Sequence, residues 1–196
     1  IAAMPGAKWY EYEPVSNDNV RLGTELAFGA PYRPNFSLDK AKVILSLDGD
    51  FLGAEPTALR LAPDFMQGRR PDSGEMNRLY VIESMFSMTG GVADHRLPLR
   101  SELVKAVAAA LDASISGKVA SSPANGPAQA RPPAAFLDDP KVAKFLAVVE
   151  KDLLDNRGKS AVIVGSQQPP EVHALAHRLN TLLGNTGTTV TYLPDF

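Results

Sequence analysis

Cysteine is missing from the 196-residue chain. Disulfides, thiolate zinc sites, a cysteine nucleophile and any iron–sulfur cluster ligated from within the chain are therefore excluded. An excess of one charge is missing too. Twenty Lys and Arg stand against 22 Asp and Glu, a net charge of −2 with a pI near 5.9. Nucleic-acid binding rests on clustered basic side chains, so neither DNA nor RNA is an expected partner. No stretch approaches the roughly 20 apolar residues that span a bilayer, so direct membrane insertion is not expected. Histidine occurs three times and tryptophan once. Few side chains remain that titrate near neutral pH.

What is present is an ordinary globular mixture, 44% hydrophobic and 21% charged, enough chain for one compact domain or two very small ones. The chain begins at Ile1 and reaches the alternating Trp9-Tyr10-Glu11-Tyr12-Glu13 run without a charged-then-apolar leader. An excised piece or a processed product, with no targeting signal in view, is the expectation.

Short apolar runs alternate with amphipathic segments. Trp9 to Glu13 reads as a strand, and Ser16 as the cap of a helix through Val20, Thr24 and Ala27 that stops at Gly29. The run Val43-Ile44-Leu45-Ser46-Leu47 is nearly all apolar, the pattern of a strand covered on both faces. A helix from Pro56 through Leu59 and Phe65 follows, then a strand Leu79 to Ile82 and a loop to Pro98. Ser101 and Glu102 open a helix carrying Leu103, Val107, Ala110 and Leu111. Between Ala113 and Ala135, 17 of 23 residues are Ala, Ser, Pro or Gly, which reads as a linker. Beyond it come a helix from Pro140 to Asn156, a strand Ala161 to Val164, a helix Pro170 to Leu183 and a strand Thr188 to Leu193. The fold class predicted is three-layer α/β/α around a mainly parallel, doubly wound sheet. Residues 1–112 and 136–196 are its two parts, sharing one sheet across the linker 113–135.

In such a sheet, ligands sit beyond the carboxyl ends of the strands. The Asp48-Gly49-Asp50 loop after the first apolar strand matches the D-x-D that opens a haloacid-dehalogenase phosphatase, with magnesium between the acids. Leu52 stands where that family needs a small hydroxylated residue, and Asp138-Asp139 precedes a helix rather than following a strand. The plainer reading is two acids closing a turn. After Val164 the sequence Gly165-Ser166-Gln167-Gln168-Pro169-Pro170 lacks the glycines of a dinucleotide loop, and its prolines remove amide donors. His173 and His177 lie four apart on one helix face, as metal ligands can. Both fall about 120° from the centre of the stripe Val172, Leu175, Ala176, Leu179 and Leu183. They are expected on the flank or in solvent, as a surface rather than a metal site. Asp94 beside His95 reads as a loop-ordering contact, because no nucleophile motif accompanies it. Ser84, Ser87 and Thr89 are hydroxyls without a visible base. Composition and spacing assign no catalytic residue and no metal ligand.

The segments 43–70 and 78–100, together with 9–28 and 162–187, resemble in colinear order the large subunits of the molybdopterin oxidoreductase superfamily. Within it they are most similar to the iron–sulfur/molybdopterin-like subunits of respiratory alternative complex III. The resemblance puts the Asp48-Gly49-Asp50 loop near the cofactor and Glu83 at the Asp of a D-P-R triplet. Thr89, Ala93-Asp94 and Leu97-Pro98-Leu99-Arg100 match a T-x-x-x-A-D and an L-P-[IL]-R segment. Asp48, Asp50, Glu83 and Thr89 are thus the residues a retained molybdopterin guanine dinucleotide or nucleotide site would use. Two departures argue against retention. The triplet reads Glu83-Ser84-Met85, without its arginine, and the P-G-T-[DE] turn reads Ser101-Glu102-Leu103-Val104. The resemblance implies a domain of a larger respiratory subunit that kept the fold and lost the pterin. It would serve as scaffold and interface to other domains of that subunit and to other subunits of the complex. It also implies the periplasmic side of a membrane, reached by twin-arginine export. Expected exposure makes the His173/His177 flank and the Trp9 region candidate docking surfaces. The alternatives are an active pterin-enzyme domain and the magnesium phosphohydrolase.

Overall fold

The computed structural model describes residues 6–8, 10, 16–70, 72, 74–119 and 135–195. Four parallel strands form its centre: β2 (Val43–Leu47), β3 (Arg78–Glu83), β4 (His95–Pro98) and β5 (Ser160–Val164), in the order β4-β3-β2-β5. All five residues of β2 are buried, because it is an inner strand with both faces covered. Its alternate residues supply two cores. Val43, Leu45 and Leu47 face α4 (Val104–Val119), α5 (Pro140–Asp155) and α6 (Pro170–Leu182). On the other side Ile44 packs with Phe51 and with Leu61 and Phe65 of α2 (Ala58–Gln67). The result is the three-layer, doubly wound α/β/α fold expected. The chain leaves β2 toward β3 and β4, then returns to add β5 on the other side of β2. The switch point is therefore the gap between the carboxyl ends of β2 and β5.

Several boundaries differ from the sequence reading. Helix α1 (Asp18–Phe28) ends as foreseen, with Gly29 in the left-handed conformation at φ 78°. The Trp9–Glu13 strand lies outside the described residues apart from Tyr10, which is in no strand. A strand appears instead at β1 (Tyr32–Phe36), antiparallel to β6 (Val190–Pro194) in a separate two-stranded sheet. The last strand thus leaves the main sheet. The expected loop before Pro98 contains the edge strand β4. Helix α2 starts at Ala58, two residues after Pro56. Helix α4 runs eight residues past Leu111, to Val119, into the stretch read as linker. Leu111, Ile115 and Val119 continue the four-residue spacing of Val107 and are buried, so the small residues between them pack as helix. Residues 120–134 lie outside the described residues.

β5 is an edge strand whose outer side is closed by side chains rather than by a neighbour. The Asn180 amide accepts from Val162 N at 3.0 Å and donates to Val162 O at 2.9 Å, as a paired strand would. Asn185 Oδ1 accepts from Ser160 N and its Nδ2 donates to Asn180 Oδ1, while Thr189 donates to Ser160 O. An open edge invites pairing with another chain. The buried Asn180, Asn185 and Thr189 remove that option.

Candidate functional site at the carboxyl end of the sheet

Asp48 leaves β2 with φ at 57°, the sole described non-glycine residue at positive φ. Such a conformation persists where surrounding contacts hold it. Here they are dense. Asp48 N donates to Ile82 O at 2.7 Å, and Gln167 Nε2 donates to Asp48 O at 2.6 Å. The buried carboxylate accepts from Ser84 N at 3.2 Å, from Gln168 Nε2 at 2.8 Å and from the Ser101 hydroxyl. Residues after β2, β3 and β5 thus converge on one carboxylate, joined by Ser101 from the turn before α4.

Asp50 points the other way. Its Oδ1 accepts from Thr89 N at 2.9 Å and Thr89 Oγ1 at 2.7 Å, and its Oδ2 from Ala54 N at 3.0 Å. Thr89 Oγ1 also accepts from Leu52 N at 3.0 Å. The pair welds the loop after β2 to α3 (Met88–Gly91). Glu83, at the end of β3, is buried and accepts from Arg96 Nε, Ser87 N and the Ser87 hydroxyl. Gly90 is required beside it, since a Cβ there would lie 1.8 Å from Glu83 Oε1. The structure therefore brings Asp48, Asp50, Glu83 and Thr89 to one end of the sheet. It spends each of them on protein donors.

The crevice between β2 and β5 is closed in the same way. A Cβ on Gly165 would sit 2.1 Å from Asp48 O. Gly165 N donates to Leu47 O at 3.0 Å. The Ser166 amide, the next donor past the strand, donates to Glu55 Oε1 at 3.0 Å, and its hydroxyl donates to the same oxygen at 3.3 Å. Glu55, Arg96, Ser101, Gln167 and Gln168 were not singled out from sequence. Ser101 lay inside the altered P-G-T-[DE] turn. The others carry no local signal, since each acts on a partner that the fold brings near.

Over this braced floor the loop after β3 exposes large apolar groups. Met85 is 77% and Phe86 74% exposed, and Met88 and Val92 are exposed beside them. The Arg96 guanidinium lies 4.9 Å from the Phe86 ring centroid.

The other candidates fall elsewhere. Arg69 grips Asp94 with two bonds of 2.8 and 2.6 Å, and Leu79 N donates to the same carboxylate. Burial alone would raise the Asp94 pKa; the arginine and the amide outweigh it and hold it below the ordinary value. His95 stacks on Tyr80, centroids 4.8 Å apart. The Tyr80 hydroxyl donates to Asp152, and burial followed by that carboxylate pushes the phenol up to about 12.

His173 and His177 correct the expectation of an exposed flank. They are 3% and 4% exposed. Helix α6 is covered on two sides, by the sheet layer and by α1, so one stripe could not mark both buried faces. Gly23 makes the second contact possible: a Cβ there would lie 2.3 Å from His173 Cβ. His177 sits among Phe28 and Tyr192, with ring centroids at 5.7 and 5.3 Å, and its Nδ1 is 3.0 Å from the Tyr192 hydroxyl. Both Nε2 atoms are buried without a hydrogen-bond partner. Burial lowers the His173 pKa to about 4, against backbone carbonyls of Gln168 and Gly165 that raise it. Burial, then the neighbouring His173, lowers that of His177 to about 3. A buried ring cannot serve as a docking surface. Among the described residues no cluster of three His, Asp or Glu could hold a metal ion, and no helix is long and apolar enough to cross a membrane.

The switch-point geometry and the three layers define a doubly wound α/β/α domain. A solved structure of similar fold is acetylene hydratase from Pelobacter acetylenicus, at a TM-score of 0.56 and 13% identity, over 88% of this chain and 25% of that one. At that identity the likeness establishes the fold alone. The chain spans about a quarter of the length of the structure it matches. No family model matches the chain, and no curated protein does.

Proposed function

We propose that the chain is a non-catalytic α/β domain of a larger molybdopterin-oxidoreductase-like respiratory subunit, a scaffold and interface whose pterin site has been lost. The observation that carries this reading is the closure of the switch-point crevice by the protein's own groups. A guanine dinucleotide needs bare amides or cations for its phosphates. The Ser166 amide is instead held by the Glu55 carboxylate, and the loops present Asp48, Asp50 and Glu83, which repel phosphate. That donor set does not fit the cofactor. The missing arginine at Met85 and the altered turn at Ser101 to Val104 point the same way. The same geometry gives the phosphohydrolase reading nothing to build on, because the Asp48 and Asp50 carboxylates are committed to Ser101, Gln168 and Thr89. The exposed Met85 and Phe86 suit contact with other domains of the subunit or other subunits of the complex. On this reading the domain works on the periplasmic side of the membrane. Calorimetric titration with GDP, with and without magnesium, tests it. No heat of binding at millimolar nucleotide is expected; saturable micromolar binding would refute the lost-site reading.

A further inference from the structure

Helix α1 and the β1/β6 pair form one internally braced layer. Thr24 Oγ1 accepts from Tyr32 N at 2.9 Å and tethers α1 to β1. Arg33 pairs with Asp195, and Asn35 Nδ2 donates to Thr191 Oγ1, across the two strands. The layer rests on α6 through Gly23 against His173 and through Phe28 and Tyr192 against His177. The seam that joins it to the rest of the molecule thus contains two imidazoles, each with a buried, unpartnered Nε2.

We propose that α1, β1 and β6 are a cover latched to α6 by the neutral His173/His177 pair, and that acidification releases this cover while the parallel sheet stays folded. A proton added to either ring places a charge in a seam that supplies no counter-ion. From α1 the charged residues Asp18, Arg21 and Glu25 are exposed. From the strands, Arg33 and Asp195 pair with each other, and Tyr192 is the phenol at His177, its own pKa raised by burial. Along α6, Glu171 pairs with Lys105 of α4 and Arg178 with Asp112 of α4. From the loop after β5, Gln168 and Gly165 offer only backbone carbonyls to His173. Neither ring has an ion-pair partner among the described residues.

Both imidazoles titrate in the closed state well below the ordinary histidine value of 6.5 and regain that value once the cover lifts. Opening therefore takes up protons as the pH falls below 6.5. Each histidine adds up to about tenfold to the opening constant per pH unit. The sheet has no such seam, since β2, β3 and β5 are covered on both faces by apolar layers.

Amide hydrogen exchange of the full chain between pH 7.5 and 5.5, corrected for intrinsic rates, tests this. The opening constant of α1, β1 and β6 amides should rise about a hundredfold, with β2 and β3 amides unmoved. It should rise about tenfold in His177→Phe or His173→Leu, and stay flat in the double variant, with His95→Gln behaving as wild type. A uniform rise across all elements, no rise, or an unchanged slope in the variants would overturn the proposal. Ring carbon shifts of the wild-type histidines give a second reading independent of any variant. His173 and His177 should stay neutral at pH 5.5 in the closed form, whereas titration near pH 6.5 with the cover still protected would refute the latch.

Discussion

The carboxyl end of the sheet and the seam between α1 and α6 treat buried polarity in opposite ways. At the end of the sheet the buried Asp48 and Glu83 and the half-buried Asp50 are each met by three donors. On α6, His173 and His177 are buried with a ring nitrogen left unpaired on each. The first arrangement fixes loops against one another and leaves nothing over for a ligand. The second is tolerated only while both rings are neutral. A buried carboxylate that is fully bonded marks a lost or structural site. A buried imidazole that is half-bonded marks a place where pH acts.

The largest effect on this contrast should come from Gly165→Ala, whose added Cβ meets the Asp48 carbonyl at 2.1 Å. Backbone cannot yield as a side chain does, so the loops after β2 and β5 must part, at a cost of about 3 kcal/mol or more in urea denaturation. Glu83→Ala follows, expected to lose about 2 kcal/mol. It strands Arg96, whose partial exposure softens the penalty for a broken ion pair. Gly23→Ala strikes the other region. With Cβ 2.3 Å from that of His173, it should cost about 1–2 kcal/mol and strip exchange protection from α1 before the sheet.

Stability against pH sharpens the comparison. A histidine pKa lowered in the folded state contributes stability above pH 6.5 that is lost as the pH falls toward the folded values of about 4 and 3. Urea midpoints should therefore decline from pH 6.5 to 4, and decline less in His177→Phe. The smallest effect belongs to Asp48→Asn, which removes a charge but keeps an acceptor for Ser84 N or Ser101. Its stability should lie within about 1 kcal/mol of wild type, and magnesium should promote no phosphate-ester hydrolysis by either protein.

The buried strands were legible in the sequence because a strand covered on both faces must be largely apolar, as 43–47, 79–82 and 161–164 are. Edges were not. His95-Arg96-Leu97-Pro98 and Tyr32-Arg33-Pro34-Asn35-Phe36 carry polar residues and proline, which edge strands accept and sequence patterns read as loop. The extension of α4 was hidden by its Ala and Ser, though Ile115 and Val119 kept the helical spacing. Asp48 and Asp50 stood out as a D-x-D at a strand end, Glu83 and Thr89 came from resemblance, and the four do share one end of the sheet. Their partners Gln168, Ser101 and Arg96 were invisible because hydrogen bonds across 13 to 120 positions leave no local trace. The histidine burial was missed for a related reason, since a glycine on another helix creates it.

The claim on which the account rests is that the crevice between β2 and β5 is filled by the protein itself. Amide chemical shifts of Asp48, Ser84, Thr89 and Ser166, followed during addition of GDP and magnesium, address it most directly. The account predicts that none of the four moves in the wild-type protein up to millimolar nucleotide. Saturable shifts at Ser166 and Asp48 would show an open nucleotide site and contradict it.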